Sequence, residues 1–352
     1  MSPELTAATP RSILCLAPNP AYQITVLFDE IVLGDVNRAT QQTNSLGGKG
    51  QNFAVATKQF LGTADHVLLL QILGGPTGDQ IQALEDQQGF SYQTVRSQLP
   101  TRTCTTCLDA RSGEMTEMVG VSGTIDAAVE VEYAQAAIDI LQNDPPRVMA
   151  LCGTFPPGLC GETMARIILQ RRPGTLIFVD AVKDIQPVLA TRCIDILKVN
   201  STEVLSILSS LDMQYQAKRP ADVDLAQAAV TLGRHFNIGV VAVTDGPETA
   251  YLADIRKNAC WAFKLPDLLA QRTELVDKAN AHYGQLLLNP LGAGDTCSAV
   301  MLNLLLDGND IVECFAQGLA AASASCLVPM PNCVFEKSAM QKIRNQITIA
   351  KL

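Results

Sequence analysis

A chain of 352 residues, 47% apolar and only 17% charged, can bury a large core as one α/β unit with an appendage. The net charge of −9 and the lack of a Lys/Arg cluster exclude a broad nucleic-acid face, while a few local cations and backbone amides still suffice for a phosphate. No run of eighteen apolar residues argues for a membrane span, and eleven cysteines beside three histidines (His66, His235, His282) point to reduced thiols in a cytoplasmic setting.

Met1 to Arg11 is small, polar and proline-containing, without the charged start and apolar stretch of a secretory signal, and is expected to be a disordered tail. Short apolar runs follow, each stopped by polar or glycine-rich residues. Ser12–Leu16 precedes Pro18-Asn19-Pro20, Val67–Leu73 precedes Gly74-Gly75-Pro76, and Val148–Leu151 leads into the loop Gly153–Gly158. Thr175–Val179 ends at Asp180, Ile194–Val199 at Asn200, and Gly239–Val243 at Thr244-Asp245-Gly246. Strands alternating with helical lengths predict a doubly wound, mainly parallel sheet over 12–352, whose ligands lie at the carboxyl ends of the strands. Tyr22–Leu46 and Gln93–Gly120 break the pattern. Their β-branched alternation (Thr101, Thr103, Thr105, Thr106) predicts antiparallel strands forming a small lid, with Cys104 and Cys107 acting as small apolar residues rather than zinc ligands. Leu265–Gln285 reads as an inserted helix that borders the nucleotide pocket.

Three motifs carry chemistry. Gly47-Gly48-Lys49-Gly50-Gln51-Asn52 opens a helix closed by Gly62, and puts Lys49 and Asn52 on one face, suited to a polyhydroxylated anion. The bland alternative is a glycine turn with an exposed lysine. It is not a Walker loop, because the spacing before the lysine is wrong. Asn200-Ser201-Thr202-Glu203 reads on its own foremost as a helix capping box, a side-chain oxygen followed three residues later by Glu. Asn289-Pro290-Leu291-Gly292-Ala293-Gly294-Asp295 precedes an apolar helical run. Small residues there let backbone N–H groups approach an anion, the helix dipole assists, and Asp295 can accept a proton from an attacking hydroxyl. The alternative is a simple N-terminal turn with Asp295 serving the dipole.

In their order and separation, the first and last motifs resemble the two signatures of the ribokinase-like (phosphofructokinase-B) carbohydrate kinases, a likeness running over roughly residues 12 to 340. The resemblance implies a ribokinase-like α/β domain with a β lid, ATP and Mg2+ as cofactors, and Asp295 as catalytic base beneath an anion hole made by Gly292, Ala293 and Gly294. It further implies sugar contacts from Asn19, Gln23, Gly47, Gly48, Lys49, Asn52, Arg102 and Gly153. Asn200, Glu203, Thr244 and Gly246 fall on the nucleotide side, with Glu203 reaching magnesium through water. Leu16–Ala21, Gly34-Asp35-Val36-Asn37-Arg38, Thr101-Arg102-Thr103 and Gly153–Gly158 are similar to the 1-phosphofructokinase and tagatose-6-phosphate kinase subgroup. In that subgroup the lid arginine grips the substrate's existing phosphate, here together with Lys49. Gln23 stands where the subgroup has an aspartate for sugar hydroxyls, so an aspartate at 23 is expected to bind the sugar as well or better. Asp245 occupies a position where the family more often has glycine or a small apolar residue.

The expected reaction is phosphorylation of fructose 1-phosphate to fructose 1,6-bisphosphate. The alternatives are tagatose 6-phosphate, another sugar or nucleoside on the same fold, or a non-catalytic sugar- or nucleotide-binding protein. The expected partners are the sugar phosphate and ATP, with neither nucleic acid nor membrane, and a second copy of the chain bound through the lid.

Overall fold

The computed structural model describes residues 12–181, 183–211, 223–269 and 287–352. The expected tail and the part of the proposed insertion beyond Leu269 lie outside the described residues.

Apolar runs flanked by turn residues become the strands of a ten-stranded sheet. In chain order these are β1 (Ile13–Ala17), β4 (Val67–Gly74), β5 (Ser91–Ser97), β8 (Val148–Cys152), β9 (Leu176–Asp180), β10 (Ile196–Asn200), β11 (Val240–Thr244), β12 (Ala250–Asp254), β13 (Ala259–Lys264) and β14 (Thr348–Lys351). Their spatial order is β14-β13-β12-β11-β10-β9-β8-β1-β4-β5. The pairs from β11 through β5 are parallel, and β12, β13 and β14 add antiparallel at the other edge.

The strands are apolar on both faces because both are covered. Along β1, Ile13, Cys15 and Ala17 face one core with Phe53, Phe178 and Phe315, while Leu14 and Leu16 face a second with Tyr133, Met149 and Ile167. Helices Lys49–Leu61, Ala293–Leu306 and Ile311–Cys326 cover the first face; Ala127–Asn143, Gly161–Leu169, Ser201–Ser209 and Leu225–Phe236 cover the second. β1 lies between β4 and β8, so the chain winds away from it in both directions. That switch point opens a crevice at the strand ends carrying Asn19, Gly153, Asp180 and Asn200.

The remaining strands, β2 (Ala21–Phe28), β3 (Gln41–Gly47), β6 (Thr103–Asp109) and β7 (Met115–Val119), form a separate sheet in the order β3-β2-β6-β7. It differs from the sequence-based expectation twice. The central β2–β6 pair is parallel, since the chain leaves the lid and re-enters it in the same direction. Residues 93–97 also belong to β5, where Val95 is buried against the main core, so the second lid segment starts later than its β-branched composition implied. Cys104 and Cys107 lie three apart on β6 and therefore point to opposite faces, which prevents them from binding one metal as a pair.

Candidate active site

The Lys49–Leu61 helix starts where β3 returns from the lid to the main sheet. Gly50 must be glycine, because a Cβ there would lie 2.2 Å from Ala17 Cβ. The close approach of helix and β1 sets Lys49 and Asn52 at the crevice. Opposite, Gly292 sits at φ 74° and caps the Ala293–Leu306 helix; the left-handed turn aims the first amides and the Asp295 carboxylate into the same space.

Between lid and sheet is a cavity of about 840 Å3, and every residue that the resemblance assigns to the site except Gly47 lines it. Asn19, Gln23, Gly48, Arg102 and Gly153 lie toward the lid; Asn200, Glu203, Thr244 and Gly246 lie toward β10 and β11; Lys49, Asn52 and the Gly292–Asp295 turn stand between them. Gly47 is buried at the end of β3, where a Cβ would press to 2.9 Å from Gln23 Cβ, so its part is to let the lid strand pack.

Asp295 is buried, and Asn52 Nδ2 donates to its Oδ2 at 2.8 Å. Burial first, and then the Asp180 charge, push its carboxyl up to about 7; Lys49, Lys198 and the Asn52 hydrogen bond oppose that rise. A carboxyl poised near neutrality suits a general base.

Beneath it is a charge cluster that sequence reasoning missed. Asp180 Oδ1 accepts from Lys49 Nζ at 2.7 Å; its Oδ2 accepts from Lys198 Nζ at 3.0 Å and Ser298 Oγ at 2.8 Å. Burial opposes the charge on Asp180, but Lys198 and Lys49 overcome it and hold the carboxyl well below the usual range. Lys198 is buried and lines the cavity, and a Cβ on Gly294 would come within 2.9 Å of its Nζ, so glycine there keeps the ammonium close to the turn. The signals were present: a lone lysine inside the apolar strand Ile196–Asn200 and an aspartate ending Leu176–Asp180.

The cluster also engages Lys49. Its ammonium bonds Asp180 and, at 3.3 Å, Glu203 Oε1, which directs it along the cavity floor. Arg102 differs. Its Nη2 and Nε donate to the carbonyls of Asn19 (3.0 Å) and Pro20 (3.4 Å), and no carboxylate among the described residues pairs with it. Of the two cations assigned to the sugar end, Arg102 alone keeps an uncompensated charge there.

Gln23 donates its amide N–H groups to Thr106 Oγ1 (3.0 Å) and Ile24 O (3.1 Å). Its Oε1 is left as the acceptor for a ligand. An aspartate at this position gives up the donation to Ile24 O, while the Thr106 hydroxyl can turn to donate to the new carboxylate. Glu117 and Val119 on β7 also line the cavity and were not foreseen. At the other end, Leu288, Leu319, Ala322 and Cys326 with Leu265, Leu268 and Leu269 build an apolar wall beside Thr244 and Gly246. Leu319, Ala322 and Cys326 share one helix face, a spacing indistinguishable from core in the sequence.

Asn200 and Glu203 form the capping box in full: Asn200 Oδ1 accepts from Glu203 N, and Glu203 Oε2 accepts from Asn200 N, each at 2.8 Å. The local reading of that motif holds, and the same residues line the cavity. Asp245, the unusual residue after Thr244, accepts a hydrogen bond from Ser201 Oγ.

The model of the pfkB family of carbohydrate kinases matches residues 19–332. The chain belongs to the pfkB family. Tagatose-6-phosphate kinase of Staphylococcus epidermidis is 24% identical over 289 residues, covering 82% of this chain and 83% of that protein. The ATP-dependent 6-phosphofructokinase isozyme 2 of Escherichia coli is 25% identical over 318 residues, covering 90% and 92%. The crystal structure of Escherichia coli phosphofructokinase-2 with substrates and products shares the fold, at a TM-score of 0.77 and 21% identity over 95% of this chain and 99% of that one. As a pfkB protein the chain is an ATP-dependent carbohydrate kinase. No described helix is long and apolar enough to cross a membrane.

Proposed function

We propose that this kinase phosphorylates a ketohexose monophosphate to the bisphosphate. The observation that carries the reading is the pairing of Asp295, a buried carboxyl near neutrality beside a glycine turn, with Arg102, a cation without a carboxylate partner across the same cavity. Arg102 grips the phosphate already on the sugar, a task suited to the planar guanidinium. The apolar wall beside Thr244 and Gly246 takes the adenine.

In this reading the acceptor hydroxyl lies against Asp295 Oδ1. Asp295 takes its proton as the oxygen–phosphorus bond forms and the bond from the γ-phosphorus to the β–γ bridging oxygen breaks, releasing ADP. The Gly292–Gly294 amides and the Lys198 ammonium face the charge on the moving phosphoryl group. Lys49, tied to Asp180 and Glu203, holds the floor between the two substrates. Magnesium, when bound, neutralises charge shared by the β- and γ-phosphates. Glu203, whose carboxylate lines the cavity, would hold the ion through water.

Fructose 1-phosphate is the leading substrate, on the likeness of Leu16–Ala21 and Thr101–Thr103 to the 1-phosphofructokinase subgroup. Sugar 6-phosphates are the second reading, favoured by the tagatose-6-phosphate kinase and 6-phosphofructokinase relatives. The test is kcat/KM over free ketohexoses, nucleosides and the 1- and 6-phosphates of fructose and tagatose. A ketohexose phosphate should lead, with an acid limb near pH 7 from Asp295, and Asp295→Asn should lower kcat by about 10²–10⁴-fold. A free sugar or nucleoside leading the panel tenfold overturns the phosphate assignment; near-normal kcat in Asp295→Asn overturns the base.

A further inference from the structure

A chain of hydrogen bonds runs from the lid to the carboxylate assigned as base. Ser45 Oγ, on β3, donates to Asn332 Oδ1 at 2.9 Å; Asn332 Nδ2 donates to Asn52 Oδ1 at 2.7 Å; and Asn52 Nδ2 donates to Asp295 Oδ2 at 2.8 Å. Asn52 and Asn332 are both buried. The two ends of an asparagine amide have nearly the same shape and opposite hydrogen-bonding character, so packing does not choose between them. The chain does. An ionised carboxylate only accepts, so Asn52 must turn its NH2 to Asp295. Its oxygen then faces Asn332, which must donate, and the oxygen of Asn332 is left for the Ser45 hydroxyl.

We infer that Asn332 is a positioning residue for phosphoryl transfer: it locks the Asn52 amide in the orientation that donates to Asp295 Oδ2, and Ser45 couples that lock to the lid.

The inference rests on Asp295 being the base. With Oδ2 engaged, Oδ1 carries no hydrogen bond and is not among the buried atoms lacking a partner, so it is the oxygen open to the cavity. The segment holding Asn332 is pressed against the same turn: Cys333 Sγ lies 3.6 Å from Gly292 O, and a Cβ on Gly292 would come to 2.2 Å from that sulfur. Without the Asn332 donor the Asn52 amide is free to rotate and bring its oxygen against the carboxylate, which disfavours the ionised base. The other groups that act on Asp295 are Asp180 at the end of β9, Lys198 on β10, Lys49 at its helix start, and the Cys333 and Cys152 thiols. All of them remain in Asn332→Leu, which adds no charge, so a shifted pH profile in that variant reports on the amide.

The experiment measures kcat, KM for both substrates, the pH profile of kcat/KM and Tm for Asn332→Leu, Asn332→Asp and Ser45→Ala beside Asp295→Asn. Asn332→Leu should lower kcat roughly tenfold or more, the loss typical of one hydrogen bond to a charged group, and move the acid limb upward while leaving the KM for ATP within about twofold. Asn332→Asp, which keeps the shape and loses the donor, should do at least as much. Ser45→Ala should shift both quantities the same way by less. A lowered Tm in Asn332→Leu and Asn332→Asp with the wild-type kcat and pH profile would mean that Asn332 only holds the loop, and would overturn the inference while an inactive Asp295→Asn leaves the base standing. Survival of activity in Asp295→Asn would remove the base and the lock together. If Asn332→Leu does not fold, the near-isosteric Asn332→Asp and the lid-side Ser45→Ala decide.

Discussion

At the scale of single residues, Lys49 shows how a motif can be legible while the direction of its side chain is not. The glycines and the helix they open were plain in the sequence, as was the cationic position. The direction of a four-carbon side chain depends on Asp180 and Glu203, which lie 131 and 154 residues away along the chain. Because Lys49 favours the ionised forms of both Asp180 and Asp295, its loss should weaken the base rather than the grip on the sugar. Lys49→Ala is expected to lower kcat about tenfold or more, on the scale of a lost charge-assisted contact, and to move the acid limb of kcat/KM to higher pH. The KM for the sugar phosphate should stay within about threefold. A large rise in that KM with unchanged kcat would return Lys49 to the sugar's phosphate.

At the scale of elements, the parallel strands and their functional carboxyl ends were readable because apolar runs and turn residues are local signals. The parallel β2–β6 pair and the transfer of 93–97 to the main sheet were not, since strand partners are chosen by packing between distant segments. The same holds for a buried polar bridge joining two helices across β4. Gln51 Nε2 donates to Gln71 Oε1 at 2.7 Å, and Gln71 Nε2 donates to Glu85 Oε2 at 2.6 Å, tying the Lys49–Leu61 helix to Gly75–Gln88. Burial, above all, pushes the Glu85 carboxyl up to about 7, and its Oε1 has no partner. The folded chain therefore binds this proton more tightly than the unfolded chain. The stabilisation is complete below the ordinary carboxyl value of 4.5 and is lost as pH rises toward 7. Glu85→Gln, neutral at every pH, should flatten that slope and stabilise the protein at pH 8 relative to wild type by on the order of 1–3 kcal/mol. Thermal melts at pH 5 and pH 8 check it; an equal Tm difference between variant and wild type at both pH values would show that Glu85 does not titrate in this range.

At the scale of the whole molecule, the lid exposes apolar residues at one edge. Among the described residues its sheet ends at β3 and β7, and Met118 and Val119 on β7 with Val121 just beyond it are 57%, 60% and 92% exposed. An unpaired strand edge with apolar residues invites pairing with another chain. Two lids meeting about a two-fold axis would cover the same patch on both copies. Val119 and Glu117 of that strand also line the cavity, so an interface there would brace the cavity wall. The expected state is thus a dimer whose contact supports substrate binding without touching Asp295. Sedimentation velocity across micromolar concentrations should find a dimer for the native chain and a monomer for Met118→Glu/Val121→Glu, with the KM for the sugar phosphate raised severalfold and the acid limb near pH 7 unmoved. The two substitutions lie at exposed positions, so Tm should change little. A native chain that sediments as a monomer throughout, or a double variant that stays dimeric, would place any self-association elsewhere and leave the lid to close over the substrate unaided.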